Sequence, residues 1–507
     1  MKQNHFTIFL SFCCCLNVFA QQSTEVYLAE LKQENDSLKI DSVINISKNE
    51  GYDNQPSFFD NDNILFSSTR NNQTDVALYN IKDSSTIWLT NTPNGSEYSP
   101  LKIPGKNAIS AIRLDKDGLQ RLYEYDVNTS ESEVILPDLK VGYHVWFSSD
   151  IIVCTVLIEN RMDLVISNLK ANTNYTVQKN VGRSLHKIPN SNLVSYISKT
   201  DDSVTIRSLD PITLKSEELI ATMEGSEDVC WTENGDLITA YDTSILSFNP
   251  STDKEWKFEF KIKDQDVNGI SRLAINPLRN YLSFVSKDSP KIIVDRQVET
   301  FNARDINAFA NCFSKDVVVK NFPMDTLYMG RQQLKVNYEA FYKRTPAIEA
   351  KVASRIHVGQ TVIDQEVVTI NGNQHHQVAI YEVDNFIESM TFIKDTATKI
   401  DPEIIVQEQL DGYNARDINA FLQPFAENVK VYGANGELRT QGIEEMRKGY
   451  SDFFETTKDL HCSVKNRIVI GNKVIDEENI TANGESFSAI GIYEIENGKI
   501  ARVTFLQ

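Results

Sequence analysis

The feature that most constrains the fold is an exact duplication in the C-terminal part of the chain. The octapeptide NARDINAF occurs at residues 302–309 and again at residues 414–421, an offset of 112. The same offset relates further positions: Gly330 to Gly442, Tyr338 to Tyr450, Arg355 to Arg467, and Val362–Asp364 to Val474–Asp476. Repetition at one fixed period indicates one structural unit present twice. We therefore predict two domains of the same fold, at residues 290–398 and 399–507.

Residues 21–289 show a different pattern, with short β runs separated by turns rich in Asn, Asp and Gly. The clearest unit is QPSFFDNDNILFSSTR followed by TDVALYNIKDSSTIWLT, which predicts four antiparallel strands. Four strands in about 40 residues are typical of one blade of a β-propeller. Four weaker units follow, and they end near Leu136, Val177, Leu219 and Ile262.

The last segment before the repeats, GISRLAINPLRNYLSFVSK, contains only two strands. We predict that EVYLAELK and KIDSVINIS near the N-terminus supply the other two strands of that blade. A shared blade joins the two ends of a six-bladed ring and leaves fewer exposed strand edges. The fold class is therefore multidomain, with an all-β six-bladed propeller ahead of two repeated domains.

The segment from Pro56 to Arg70, with its pattern P-S-F-F-x3-N-I-L-F-x-S-x-R, resembles the TolB-type six-bladed propellers. That resemblance implies an extracytoplasmic platform that binds a partner, such as a protein of the cell envelope, and it implies no catalysis. The turns Asp60–Asn63 and Asp115–Gly118 are acidic, but they lack the alternating ligands and the later bidentate Glu of a calcium loop. We interpret both as hairpin turns.

The composition of the chain limits the classes of molecule that it can bind. The chain of 507 residues carries a formal charge of −19, which argues against nucleic acid as a partner because phosphate binding needs basic surfaces. Cys154, Cys230, Cys312 and Cys462 have no zinc-site spacing, so we predict buried free thiols and neither a metal site nor a cofactor.

Met1–Ala20 resembles a secretory signal, with Lys2 before the apolar run Phe6–Phe19. We expect cleavage near Ala20 rather than lipid attachment at Cys13, because bulky Phe12 stands where lipoprotein signals carry a small residue. The prediction is a periplasmic or secreted protein.

Each repeat predicts three helices and then a curved antiparallel sheet. With NARD-x-x-AF near its start and a closing segment such as Tyr493–Thr504, it resembles the SnoaL-like branch of the nuclear transport factor 2-like superfamily. The resemblance implies a cone-shaped α+β fold around a pocket for a small apolar molecule. Such folds include isomerases, cyclases, dehydratases and binding modules. Members often dimerise through the sheet, so we expect the two copies to pair within the chain or to dimerise.

Spacing alone fixes one hairpin in each repeat. A two-residue turn at Gly471-Asn472 sets Arg467 opposite Asp476, and Gly359-Gln360 sets Arg355 opposite Asp364. Two residues further on, Glu366 and Glu478 share the face of these Asp residues. Two interpretations stay open: a polar wall of the pocket that binds an anion or carbonyl group, or a cross-strand ion pair on a solvated face.

The steroid-isomerase relatives suggest a sharper test. By resemblance, their general base falls on Asn321 and Gly433, and their catalytic Tyr falls on Gln297 and Gln409. Their acidic oxyanion donor falls near His376 and Ser488. Neutral Asn and Gly cannot accept a proton at neutral pH, so we do not expect isomerisation by that mechanism.

Adjacent His375 and His376 lie on a predicted strand and should point to opposite faces, so they should not share a metal. The candidates for acid–base chemistry are His376, Asp476 and Glu478. The predicted ligand-binding residues are Arg355, Asp364, Glu366, His376, His461, Arg467, Asp476, Glu478 and Ser488.

The leading hypothesis is a binding protein, and the alternative is an enzyme acting on a small apolar molecule. A third hypothesis is an envelope scaffold that needs no small ligand. A titratable group withdrawn from water inside a cone would favour the enzyme. An Arg467–Asp476 pair facing solvent would weaken it.

Overall fold

The computed structural model describes residues 23–34, 37–49, 51–71, 73–200, 203–264, 266–396 and 400–506. The predicted signal segment lies outside these residues. The chain divides into two compact units, residues 1–287 and 288–507. No helix among the described residues is long and apolar enough to cross a membrane.

The first unit is built from strands. They are β1 (Thr24–Glu34), β2 (Ser37–Asn45), β3 (Asn54–Phe58), β4 (Asn63–Arg70), β5 (Gln73–Asn80), β6 (Ser85–Trp88), β7 (Gly95–Lys102), β8 (Ala108–Asp115), β9 (Gln120–Asp126), β10 (Ser132–Leu136), β11 (Val141–Trp146), β12 (Ile151–Ile158), β13 (Arg161–Asn168), β14 (Thr173–Gln178), β15 (Val181–Lys187), β16 (Val194–Ser198), β17 (Thr205–Leu209), β18 (Ser216–Ala221), β19 (Val229–Trp231), β20 (Leu237–Tyr241), β21 (Ser244–Phe248), β22 (Lys257–Lys261), β23 (Asn268–Ile275) and β24 (Tyr281–Lys287).

Within the described part of this unit, the strands form six four-stranded sheets. Five sheets take four consecutive strands each, from β3–β6 to β19–β22, and the sixth has the order β2-β1-β24-β23. Tyr27 on β1 lies opposite Phe284 on β24. The first strands contact one another in a closed circle: β3, β7, β11, β15, β19, β23 and β3 again. The predicted six-bladed propeller is confirmed, and β1 and β2 from the N-terminal part share the sixth sheet with β23 and β24.

The middle strands are buried on both faces because each blade packs between two others. On β4, Ile64 and Phe66 pack with Val285 of the shared blade, whereas Leu65 packs with Ile109 of the next blade. This explains why such strands are nearly continuous apolar runs rather than alternating ones.

The acidic turns behave as predicted. Asp60 Oδ1 accepts hydrogen bonds from the backbone N–H of Asp62 and from Asn63 Nδ2, both at 2.9 Å. The carboxylate of Asp115 pairs with Arg113 at 2.9 Å. These side chains serve the hairpins themselves.

The second unit contains the two repeats. The first comprises α1 (Pro290–Ala303), α2 (Ile306–Asn311), β25 (Phe313–Asn321), β26 (Asp325–Met329), α3 (Arg331–Arg344), β27 (Ile348–Val358), β28 (Thr361–Ile370), β29 (Asn373–Val383) and β30 (Ile387–Lys394). The second comprises α4 (Pro402–Ala415), α5 (Ile418–Leu422), β31 (Phe425–Tyr432), β32 (Leu438–Gln441), α6 (Ile443–Thr456), β33 (His461–Ile470), β34 (Lys473–Ala482), β35 (Glu485–Glu496) and β36 (Lys499–Phe505). Each sheet has six strands, and its order in the first repeat is β26-β25-β30-β29-β28-β27.

The duplicated NARD motif holds helices to sheet. Asn302 accepts from the backbone N–H of Ala350 at 2.7 Å and donates to the Ala350 carbonyl at 2.9 Å. Arg304 donates to the carbonyls of Tyr342 and Thr345. Asp305 caps α2 by accepting from two backbone N–H groups, as predicted for this position. The motif is therefore structural, and Asn414 makes the matching pair of bonds to Cys462.

The outer faces of the two sheets pack against each other. This interface is rich in isoleucine: Ile356, Ile363, Ile380, Ile393, Ile468, Ile470, Ile475, Ile490 and Ile492, with Val378. Gln365 Nε2 also donates to the Val469 carbonyl at 3.2 Å. The two repeats therefore contact each other within the chain.

Candidate functional site

The first repeat encloses a cavity of about 890 Å³ between its helices and the inner face of its sheet. Apolar and aromatic side chains form most of its wall: Val298, Phe301, Leu327, Tyr328, Tyr338, Phe341, Val368, Ile370, Tyr381, Met390 and Phe392. Small-molecule sites in proteins have this size and this largely apolar character with a few polar groups.

Helix packing shapes the aromatic wall. Phe301 on α1 and Tyr338 on α3 meet edge to face at 6.1 Å, and Tyr338 packs on Phe309 of α2 at 4.5 Å. Such offset arrangements are the preferred contacts of aromatic rings. These contacts hold the aromatic side chains of the cavity wall in place.

Glu366 on β28 is the buried carboxyl group of the cavity, with 5% of its surface exposed. Tyr381 Oη donates to its Oε1 at 3.0 Å, and Gln377 Nε2 donates to its Oε2 at 2.7 Å. Burial raises the pKa of Glu366 to about 7, although the Gln377 hydrogen bond opposes this. A carboxyl group with this pKa exchanges a proton near neutral pH.

Gln297 on α1 adds a second polar feature. Its side chain is 5% exposed and lines the cavity, and its Oε1 has no hydrogen-bond partner within the described chain. Buried acceptors without a partner are uncommon and costly. This oxygen can accept a hydrogen bond from a ligand.

Sequence comparison identifies this fold. A family model for the SnoaL-like domain matches residues 294–388 and 406–503. These two segments are SnoaL-like domains. The cavity therefore lies in the first SnoaL-like domain, and the second carries the matching Glu478.

Several solved structures are similar to parts of this chain. An NTF2-like protein of unknown function from Cytophaga hutchinsonii is 23% identical, with 22% of this chain and 92% of that chain covered and a TM-score of 0.19. An uncharacterized cystatin fold protein from Novosphingobium aromaticivorans is 22% identical, with 21% and 99% covered and a TM-score of 0.21. A putative TolB from Agrobacterium tumefaciens is 9% identical, with 53% and 99% covered and a TM-score of 0.42. None of the curated proteins shows significant similarity to this chain.

In the second SnoaL-like domain the buried Glu–Tyr pair recurs. Tyr493 Oη donates to Glu478 Oε1 at 2.6 Å, and burial raises the pKa of Glu478 to about 7. The second donor is missing, because Ala489 stands opposite Glu478 where Gln377 stands opposite Glu366.

The predicted Arg–Asp partners are confirmed as cross-strand neighbours in both SnoaL-like domains. Arg355 donates to both oxygens of Asp364, at 2.6 and 2.7 Å, and reaches Asp295 of α1. Asp364 is 0% exposed, so a solvated face is the wrong interpretation. Neither Arg355 nor Asp364 lines the cavity. The pair ties the hairpin to α1 instead.

Arg467 and Asp476 form the same two-bond pair at 2.7 Å, with side-chain exposures of 13% and 2%. This pair is therefore not solvent-facing. His461 is exposed at the start of β33, and Ser488 is half-buried on β35. The structure thus places Glu366 and His376 on the cavity and the other predicted residues of the first domain away from it.

The sequence predictions for the cavity are met unevenly. His375 and His376 both border it as exposed side chains, although adjacent residues of a strand were expected to point to opposite faces. Asn321 and Gln297, at the positions of the isomerase base and Tyr, do line it. Sequence reasoning missed the roles of Tyr381 and Gln377, although the Tyr381–Glu382 run recurs at Tyr493–Glu494 and could have indicated a shared partner.

The described residues contain no group of three or more His, Cys, Asp or Glu side chains placed to hold a metal. Cys154, Cys230, Cys312 and Cys462 are free and buried, as predicted.

Proposed function

We propose that this protein binds a small, largely apolar ligand in the cavity of its first SnoaL-like domain. The cavity itself is the observation that carries the proposal, because its volume and aromatic wall match those of small-molecule sites. The signal-like Met1–Ala20 supports a periplasmic or secreted location, and the propeller would serve as the interaction platform for an envelope partner.

Two polar groups favour a ligand with a hydrogen-bond donor, such as an aromatic alcohol. Gln297 Oε1 is a buried acceptor without a partner, and ionised Glu366 has acceptor capacity beyond Tyr381 and Gln377. The rest of the wall contributes apolar contact, which favours ring-shaped ligands.

Native mass spectrometry of the whole protein with 2-naphthol as probe tests the proposal. We expect one bound molecule on the wild type and loss of binding in Val368→Phe, because the larger ring fills the cavity. Ile480→Phe, at the matching position of the second domain, is the control and should leave 2-naphthol binding unchanged. Equal retention by both variants would contradict the assignment.

A second candidate function is proton transfer by Glu366. The observation that favours it is a carboxyl group with a pKa of about 7 inside an apolar cavity. The carboxylate would remove a proton from carbon next to a carbonyl and return one to the same atom. Deuterium exchange into 2-tetralone, followed by NMR, should be faster with wild type than with Glu366→Gln. An unchanged rate in Glu366→Gln would remove this candidate, and Glu478→Gln is the control.

A further inference from the structure

The centre of the propeller contains a charged cluster that the cavity of the first SnoaL-like domain does not involve. Arg183 on β15 donates to Asp228 through Nε at 3.0 Å and Nη2 at 2.6 Å. Arg272 on β23 reaches the same carboxylate at 3.8 Å and donates to Tyr143 Oη at 3.2 Å. Two guanidinium groups therefore share one carboxylate.

Asp228 and Arg272 are withdrawn from solvent, whereas the side chain of Arg183 is 36% exposed, and all three residues border open space. The side chains of Asp228 and Arg272 are 7% and 14% exposed. Two cavities, of about 360 and 460 Å³, are both lined by Arg183, Asp228 and Arg272. One extends toward the starts of the innermost strands and includes Tyr52. The other extends along those strands and includes Tyr143.

The cluster of Arg183, Asp228 and Arg272 has a net positive charge of its own. Burial opposes ionisation of Asp228, but Arg272 and Arg183 outweigh it and hold the pKa of its carboxyl group below the ordinary value. His144 and His186 line the second cavity, and burial lowers the pKa of both to about 3 and 4, so they are neutral. The cluster thus carries one unit of positive charge in excess.

Other charged groups lie around these cavities, and several of them are exposed. They are Lys187, Glu233, Glu224, Asp242 and Lys287, together with the Lys199–Glu227 pair at 2.5 Å. Solvent screens the exposed charges among these, whereas the charge of the more buried Arg272 is screened less.

Arg272 shares its backbone conformation with Gln55 and Ser99, which lie in corresponding bulges of other blades. Its φ is +53°, a left-handed conformation that a non-glycine residue seldom adopts. It lies in a bulge of β23 between Ser271 and Ala274. Bulges re-aim a side chain, and such strain is often found at binding sites.

We propose that the propeller channel binds the carboxylate of a small organic acid between Arg183 and Arg272. A carboxylate matches the forked donors of a guanidinium and would balance the excess charge. Arg272 already stacks over Tyr143, with its guanidinium carbon 5.2 Å from the ring centroid, and Tyr52 packs on Tyr98 at 5.9 Å. These rings suit an aromatic acid.

Isothermal titration of the whole protein with benzoate, and with benzamide as the neutral isostere, tests the proposal. Benzoate should bind saturably and benzamide should not. Arg272→Gln should weaken benzoate binding by about tenfold or more, because one charge-assisted bond is lost. Arg161→Gln removes the same charge outside the channel, where Arg161 pairs with Asp163, and should leave the affinity unchanged.

Asp228→Asn should change benzoate affinity in the opposite direction to Arg272→Gln, and a gain in affinity cannot be explained by partial unfolding. It frees both guanidinium groups, so benzoate should bind several-fold more tightly and should raise the melting temperature of this variant more than that of wild type. The proposal is overturned if wild type does not discriminate benzoate from benzamide. It is also overturned if Asp228→Asn binds benzoate no more tightly than wild type does. Val368→Phe should not affect benzoate binding, which keeps this site separate from the function proposed above.

Discussion

The two SnoaL-like domains of one chain show which parts of this fold are fixed and which are free to change. Both keep the hydrogen bonds from the Asn of the NARD motif to the sheet, the buried Arg–Asp pair and the buried Glu–Tyr pair. They differ at the border of the cavity, where His375, His376 and Gln377 correspond to Phe487, Ser488 and Ala489. The Asn bonds and the Arg–Asp pairs hold helices to sheet, the Glu–Tyr pair joins neighbouring strands, and the differing residues border the cavity of the first domain.

A second difference lies on the first strand of each sheet. Asn321 lines the cavity of the first domain, whereas its counterpart Gly433 leaves room for the side chain of Arg439, which lies directly against it. A side chain of the second domain thus takes the place that a polar group occupies in the first.

The largest expected effect concerns the Arg–Asp pairs that the domains share. Arg355→Met and Arg467→Met should each lower the free energy of unfolding by about 3 kcal/mol or more, because each leaves a buried carboxylate unpaired. Urea unfolding measures the loss. The double variant Arg355→Met/Asp364→Leu should recover most of the stability, and no recovery would show that the arginine stem, not the charge, is what matters.

The next prediction concerns pH. The pKa of Glu366 is about 7 in the folded protein against an ordinary 4.5, so folding favours the protonated form. Its contribution to stability is fully present below pH about 4.5 and is lost as the pH rises through 7, by up to roughly 3 kcal/mol.

Glu366→Gln removes this titration, so the stability of the variant relative to wild type should rise between pH about 4.5 and 7 and level off above that. Glu478→Gln should behave alike, because burial raises the pKa of Glu478 to about 7 as well. Thermal unfolding across this interval measures both. A flat difference for either variant would show that its carboxyl group is not withdrawn from water.

A smaller effect should follow from exchanging the second donor between domains. Gln377→Ala removes one hydrogen bond from Glu366 and should raise its pKa further, by about one unit at most. Ala489→Gln should lower the pKa of Glu478 by a similar amount. NMR titration of each carboxyl group measures these pKa shifts. Shifts of the reverse sign would show that the second hydrogen-bond donor does not lower the pKa of the carboxyl group.

The smallest effect on stability should come from the border. His375→Phe and His376→Ser exchange exposed residues, so unfolding should change by only about 0.5 kcal/mol or less. Binding of 2-naphthol should nevertheless change several-fold, since both residues border the cavity. Unchanged binding alongside unchanged stability would remove the border from the list of specificity determinants.

Sequence patterns predicted the hairpin registers and the strand content of the propeller, because both depend on residues close together along the chain. The Gly471-Asn472 turn fixed the register of Arg467 and Asp476, and the two-strand deficit before Pro290 located the partners of β24 near the N-terminus. The burial of the ion pairs was not predictable from the hairpin. It depends on α1 and α4, whose Asp295 and Glu403 approach the arginines from outside the sheet.

The candidate sites were harder to foresee for the same physical reason. Glu366 could be placed on a face, but its withdrawal from water comes from helices that close over it. The propeller cluster joins Arg183, Asp228 and Arg272 from three blades, and a bulge directs the last of them inward. No spacing rule relates residues so far apart along the chain.

The isoleucine-rich contact between the two sheets joins two domains that belong to the same chain. Association of two domains on one chain is unimolecular, so dilution does not separate them. In a symmetric dimer every substitution appears twice and must suit both sides. Here a change such as His376 against Ser488 appears once, so one partner can adapt to a ligand while the other keeps the interface intact.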